Sequence, residues 1–433
     1  MGKFGKGDSS WFTHDRFGMF IHWGIYSMHS RGEWQGVIEN MSDEQYENYF
    51  KYFDPDLFDA RVWAKAAREA GMKYVVFTVK HHEGFCMYDS QYTDYKSTTA
   101  CGRDLLREIV DAFRAEGLRI GLYYSLIDWH HPHFEIDVNH PYRERKDRDE
   151  LNKSRNMDIY RQYIKDQTRE ILTNYGDIDI GWFDFSYPHV EYNPKGHEAW
   201  DSEGLIKLIR SIRPNIMLNN RLDLPDEGDI TTPEQNTPEY PLTDDNDDPI
   251  VWEGCQTFAG SWGYKRDEYT WKSEKQCIDM LINHVSRGGN LLMNVGPTSR
   301  GFLDERALTG LNYFAKWMKY CSRSIYGCGV APAEFPEPRD CRYTWNPETK
   351  RLYLHLMNWP FAYLNLPNMA GKVAYARMLH DGSEVQFTES KKVELHQHLS
   401  VYAPPGTLIL SLPVKKPDIA VPVIELILKD GVI

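Results

Sequence analysis

Absences narrow this sequence first. Its seven cysteines include no C-x-x-C pair and follow no regular spacing. A disulfide framework or a cysteine-ligated zinc site needs such pairing, so reduced thiols are expected. No apolar run is long enough to span a bilayer, and Met1 to Phe12 has no apolar signal-type core. The expectation is a cytoplasmic protein without a membrane partner. Positive charge is in deficit: 50 Lys and Arg against 63 Asp and Glu leave a net charge of −13. That balance disfavours nucleic acid or anionic lipid as a partner. The basic run Arg143 to Arg148 sits among acids and reads as solvated surface.

What is present is length and aromatic rings. At 433 residues the chain exceeds one ordinary core, so two domains are expected. There are 13 Trp and 27 Tyr. Many must be core, but indole faces also stack on the C–H faces of sugar rings. Nothing in the sequence fixes the oligomeric state, and a homo-oligomer stays open.

Strand-like and helix-like patterns alternate through the first three quarters. Gly18 to Gly24 reads as a strand ending in His22 and Trp23. Asp59 to Ala70 reads as a helix, with Asp59 as N-cap and Val62, Ala66, Ala67 and Ala70 on one face. Lys73 to Val79 is a β-branched run followed by His81 and His82. Arg103 to Glu116 is helical, Leu118 to Tyr124 is a strand, and Asn156 to Tyr175 is a long amphipathic helix. Ile178 to Ser186 is an apolar strand that ends in Asp184. A short helix, Leu205 to Ile212, precedes a strand ending in Asn219, Asn220 and Arg221. Asp223 to Pro249, rich in Pro, Asp and Thr, reads as a long loop. Val251 to Thr257 is a further strand. Ser273 to Val285 is a helix with a Ser273/Gln276 capping box, Asn290 to Val295 a strand, and Asp304 to Ser322 a helix.

This alternation predicts an α/β fold with parallel strands, an irregular (β/α)8-like barrel over 1–332. After the prolines at 332, 336 and 338 the pattern turns to short alternating runs: Arg351 to Leu356, Lys372 to Met378, Val393 to Leu399, Thr407 to Leu412 and Pro422 to Leu428. With Asp381-Gly382 as a turn signal and no helix in sight, 333–433 reads as a β-sandwich.

A parallel barrel gathers the residues at its strand ends at one mouth. Here these are His22, His81, His82, Tyr124, Asp128, Asp184, Asn219, Asn220, Arg221 and Asn294, with Glu234 in the following loop. Two chemistries suit them. Asp184 and a second carboxylate could form the acid pair of a glycoside hydrolase. Alternatively, His22, His81, His82 and Asp184 could bind a metal that activates water. Metal-dependent barrel hydrolases usually carry His-x-His after the first strand, which is absent here. The His130-His131-Pro-His133 cluster lies past a strand end. No metal and no cofactor are therefore expected.

Taken together, Phe-Gly-Met-Phe-Ile-His22-Trp-Gly, Gly-Glu33-Trp34, His81-His82-Glu-Gly-Phe85, Arg103-Asp104-Leu105, Tyr123-Tyr124-Ser125 with Asp128-Trp129, Trp182-Phe183-Asp184, Asn219-Asn220-Arg221, Ser261-Trp262-Gly263-Tyr264 and Gly288-Gly289-Asn290 to Gly296-Pro297 resemble the retaining α-L-fucosidases of glycoside hydrolase family 29. They run in family order over nearly the whole barrel. The resemblance implies a barrel followed by a β-sandwich, and hydrolysis of terminal α-L-fucosyl residues from fucosylated oligosaccharides or glycoconjugates. It implies Asp184 as nucleophile and His22, His81, His82 and Tyr124 as sugar-hydroxyl ligands, with Glu33 and Trp34 alongside. Arg221 would lie near the nucleophile and Trp262 near the sugar. The acid/base has no fixed place in the family; Glu234 is the first choice and Glu253, inside an apolar run, the second. A metal-dependent hydrolase and a catalytically inactive fucose-binding protein are the alternative readings.

Overall fold

The computed structural model describes residues 4–390 and 403–432. Seven parallel strands form one sheet: β1 (Phe17–Ile21), β2 (Tyr74–Lys80), β3 (Arg119–Ser125), β4 (Ile180–Asp184), β5 (Met217–Leu218), β6 (Glu253–Thr257) and β7 (Asn290–Val295). Their spatial order is β5-β4-β3-β2-β1-β7-β6. The gap between the two edges is closed by part of the stretch expected to be a long loop. Asn219 bridges Ile230, Thr231 bridges Trp252 and Glu234 bridges Cys255, all in parallel sense. Residues 230–234 thus act as an eighth, irregular stave. They escaped the sequence reading because Thr231-Thr-Pro-Glu234 lacks the apolar run that marks a strand.

The crossover helices follow the expected capping chemistry. Asp59, Asp104, Asn156, Ser273 and Asp304 each accept a backbone N–H at the start of their helices, and Ser273 with Gln276 forms the expected capping box. One helix packs through a different face from the one its sequence pattern predicts. In the helix Ala60–Glu69 the buried residues are Ala60, Trp63, Ala64 and Ala67, whereas Val62 is exposed. The large indole of Trp63 sets which side packs. A further helix, Asp43–Tyr52, with its own Ser42/Gln45 capping box, precedes the helix Ala60–Glu69.

Strand parity divides the barrel into two layers. Phe20, Tyr74, Val76, Tyr123, Ile180, Trp182, Met217, Cys255 and Leu292 point inward and pack together, joined by Ile230 from the stave. Their strand neighbours, such as Met19, Val75, Leu122, Tyr124, Phe183 and Leu291, face the helices. This is the period of two that a β-strand imposes. The floor is closed by the short helix Ser10–Asp15. Its Phe12 joins the inner layer, its Trp11 packs on the Tyr74 ring, and the Phe12 carbonyl accepts from Asn290 Nδ2 at 2.8 Å.

Beyond the last barrel helix, Glu305–Cys321, two antiparallel sheets stack. One contains β8 (Cys341–Asn346), β9 (Arg351–Leu356), β11 (Val373–Met378) and β14 (Val423–Leu428), in the order β11-β14-β9-β8. The other is β10 (Tyr363–Leu366), β13 (Leu408–Ser411) and β12 (Phe387–Glu389), in the order β10-β13-β12. Leu354, Leu366, Leu408 and Ile424 fill the space between them. The strand expected over Val393 to Leu399 lies outside the described residues. This sandwich packs on the barrel, with Trp317 Nε1 donating to the Val421 carbonyl at 2.8 Å.

Candidate active site

Parallel strands bring their C-terminal ends to one mouth, and parity decides which side chains enter it. Trp182 points inward on β4, so Asp184, two residues on, does too. Its register partner on β3 is Ser125. Asn219 clamps this strand end, accepting from Phe183 N at 3.0 Å and donating to Phe183 O at 2.8 Å.

Asp184 has both oxygens engaged. Oδ1 accepts from Arg221 Nη1 at 2.8 Å and Oδ2 from the Tyr123 hydroxyl at 2.8 Å. The same guanidinium donates through Nη2 to Glu234 Oε2 at 2.7 Å. One arginine therefore joins the strand-end carboxylate to a carboxylate on the closing stave. The Asp184 side chain is 9% exposed and that of Glu234 43%. Arg221 itself is fixed by stacking over Trp182 at 4.5 Å and by donating from Nε to Thr232 Oγ1 at 3.1 Å. Burial works against its charge, but Asp184, Cys255 and Glu234 together hold it above the ordinary arginine range.

The opposite wall carries three imidazoles. His22 Nδ1 meets Asn294 Oδ1 at 2.7 Å, and Asn294 Nδ2 is committed to the Trp262 carbonyl at 2.7 Å. The amide oxygen thus accepts, and His22 is the Nδ1–H tautomer. His82 Nδ1 meets Ser125 Oγ at 2.7 Å, and that hydroxyl donates to Ile127 O at 2.7 Å, so His82 is also the Nδ1–H form. Burial, reinforced by neighbouring His81, pushes both rings well below the ordinary histidine range. They are neutral at physiological pH. Trp34, Phe185, Trp262 and His81 complete a pocket around Asp184, Arg221 and Glu234. Phe185, directly after Asp184, has φ +109°. A bulky side chain in that region is strained and needs its surroundings to hold it; here Trp34 and His82 flank its ring at 5.3 and 5.2 Å.

Some expected site residues lie elsewhere. Tyr124 is not at the mouth. It pairs in register with Phe183, faces the helices and donates to Gln167 Oε1 at 2.8 Å. Its neighbour Tyr123 is the inward one, in register with inward-facing Trp182. Burial, with Asp184 next, raises the Tyr123 phenol well above its ordinary range, so it stays a neutral donor. Glu33 does not line the pocket. Its Oε2 accepts from Gly263 N at 2.7 Å, pinning the loop that carries Trp262. Asp128 forms a buried ion pair with Lys80 at 3.1 Å. Glu253 is the first residue of β6, in register with Asn290, at the floor of the barrel. Its Oε2 accepts from the Tyr74 hydroxyl and its Oε1 has no hydrogen-bond partner. It is a buried structural acid whose partner is the Tyr74 phenol. Of the expected site residues, His22, Trp34, His81, His82, Asp184, Arg221, Glu234 and Trp262 do converge. Among the described residues no group of three or more His, Cys, Asp or Glu is arranged to hold a metal ion. His130 instead stacks on Tyr95, and His131 Nδ1 accepts from His133 N.

A closed barrel whose mouth carries two carboxylates, neutral hydrogen-bonding rings and aromatic faces defines a glycoside hydrolase site. The α-L-fucosidase family model matches residues 6–322. An α-L-fucosidase isoenzyme from Paenibacillus thiaminolyticus superposes with a TM-score of 0.89 at 40% identity, covering 98% of this chain and 99% of that one. A GH29 α-L-fucosidase from Bacteroides thetaiotaomicron, solved as a trapped covalent intermediate, gives 0.82 at 26% identity over 99% and 98% of the two chains. The plasma α-L-fucosidase of Rattus norvegicus is 30% identical over 412 residues, 88% of this chain and 85% of its own. The chain belongs to the α-L-fucosidase family, glycoside hydrolase family 29.

Proposed function

We propose that this enzyme hydrolyses terminal α-L-fucosyl residues by retaining double displacement, with Asp184 as nucleophile and Glu234 as acid/base. The observation that carries this reading is the single guanidinium of Arg221 joined to both carboxylates at the mouth. A shared arginine keeps two carboxyl groups close. Retention needs roughly 5 Å between them, too little for water to fit between nucleophile and sugar.

In this reading Asp184 attacks C1 of fucose, and the C1–O bond to the leaving group breaks as Glu234 delivers its proton to that oxygen. The glycosyl-enzyme ester is then hydrolysed. Glu234 takes a proton from water, the water oxygen bonds to C1, and Asp184 leaves as carboxylate. Tyr123 and Arg221 donate to Asp184 in the free enzyme and receive it back in the same orientation. Fucose is uncharged, so its hydroxyls call for neutral partners. His22 and His82, both presenting Nε2 as an acceptor, supply them, and Trp34 and Trp262 supply apolar faces. Glu253 has no part in this chemistry because it lies at the other end of the strands.

The test is Asp184→Gly assayed on an aryl α-L-fucoside with and without azide. The expected result is loss of hydrolysis and partial recovery as fucosyl azide. Undiminished hydrolysis by the variant would remove Asp184 from the mechanism. For Glu234→Ala, turnover of fucosides with poor leaving groups should fall far more than turnover of activated aryl fucosides. An equal loss on both would take the acid role away from Glu234.

A further inference from the structure

His22 and His82 are each gripped from behind at Nδ1, one by an amide oxygen and one by a hydroxyl. His81, between them at 5.6 and 4.0 Å ring to ring, has a different neighbour behind it: the carboxylate of Glu83, with Oε2 3.5 Å from His81 Nδ1. We propose that Glu83 is a positioning residue for the sugar, holding His81 through an Nδ1–H contact so that Nε2 faces the pocket as an acceptor. The proposal rests on the fucosidase reading of the site.

Three observations carry it. Glu83 is 3% exposed, and neither of its carboxylate oxygens has a hydrogen-bond partner. A buried carboxylate without a hydrogen bond is costly, so the nearest unsatisfied donor is where its partner is to be sought. His81 Nδ1 is likewise buried without a hydrogen bond. The two unsatisfied groups face each other just beyond bonding distance. Hydrogen bonds in free active sites are often long and tighten when the substrate is bound. Finally, the rest of the ring is fixed: it stacks on Tyr123 at 14° between planes and packs on Tyr26 at 5.1 Å. Stacking fixes the plane of the ring but not which nitrogen carries the proton or which way round the ring sits, and a carboxylate at Nδ1 would set both. Glu83 also lines a partly open pocket shared with Tyr46, Tyr95, Trp129 and His140. The hydroxyls of Tyr46 and Tyr95, Trp129 Nε1 and His140 Nε2 are buried without partners as well.

The experiment compares wild type, Glu83→Gln and Glu83→Ala as the full chain. It measures kcat and KM on an aryl α-L-fucoside, fucose binding by calorimetry, and the ¹⁵N shifts of the His81 ring, assigned with His81→Asn. The expected result is a KM and a fucose Kd raised roughly 10- to 100-fold in Glu83→Ala, the scale of one lost hydrogen bond to a charged group, with kcat changed much less. Glu83→Gln, whose amide oxygen can accept the same proton, should recover most of the loss. The His81 spectrum should show Nδ1–H in wild type and a tautomer mixture in Glu83→Ala. A folded Glu83→Ala with wild-type KM and an unchanged His81 spectrum would overturn the proposal, as would equal kcat losses in both variants at constant KM. If wild type failed to bind fucose, the fucosidase reading would fall, while the His81 tautomer in the ligand-free protein would still decide the Glu83 contact.

Discussion

Tyr123 and Tyr124 are adjacent and chemically identical, yet one touches the carboxylate at the mouth and the other a glutamine under the helices. Tyr123→Phe removes one of two donors to Asp184. A hydrogen bond to a charged group contributes about 1.5–3 kcal/mol, so kcat/KM should fall roughly 10- to 100-fold. Tyr124→Phe should leave kcat/KM within about twofold but lower stability by about 1–3 kcal/mol, because Gln167 loses a buried partner. Parallel kinetics and urea unfolding of the two variants separate these outcomes, and equal kinetic losses would contradict the assignment. Arg221→Lys is a third case. A single ammonium cannot reach both carboxylates as a planar fork does, so kcat/KM should fall by roughly 10²-fold while the fold survives. Steady-state kinetics on an aryl fucoside will show it. The sequence makes His22, His81, His82, Asp184 and Arg221 readable because each ends an apolar run. It does not distinguish Tyr123 from Tyr124, since both suit a strand and only the neighbouring register chooses between them.

Elements explain the rest of what was readable and what was not. The strands β2, β3, β4 and β7 stand out as β-branched or aromatic runs bounded by polar residues, and capping residues mark the crossover helices. The stave at 230–234 is held mainly by backbone bonds to its two neighbours, with Ile230 its one buried apolar side chain, so composition gives little sign of it. Its role shows only once β5 and β6 are placed. The loop carrying Trp262 is similarly positional. Gly296, at the end of β7, lets that loop pass close: a Cβ there would lie 2.7 Å from Gly263 C, Trp262 O and Tyr264 N. Gly296→Ala must push backbone against backbone. It should displace Trp262 from His22, now 5.1 Å away ring to ring, raise KM several-fold and cost about 1–3 kcal/mol of stability. Fucose calorimetry with thermal unfolding checks both effects; unchanged affinity would mean that the loop does not shape the pocket.

Across the whole molecule, the mouth and the floor of the barrel have opposite electrostatic needs. Burial pushes the Glu253 carboxyl up to about 7 from an ordinary 4.5. The folded state then binds this proton more tightly than the unfolded chain. The stability it confers is therefore full below about pH 4.5 and is lost as pH rises to 7 and above. The loss amounts to about 3 kcal/mol by linkage. Glu253→Gln keeps an acceptor for Tyr74 and removes the titration. Its stability should fall less than that of wild type between pH 5 and 8, with kcat within about twofold. Chemical denaturation across that range is the measurement, and parallel curves for the two proteins would refute the floor assignment. The short helix that seals this floor has a further consequence in time. Phe12 emerges early from the ribosome, but its partner Asn290 lies 278 positions later. The stopper is thus synthesised long before its seat, and the barrel cannot be sealed until β7 has been made. Long-range closure of this kind slows folding.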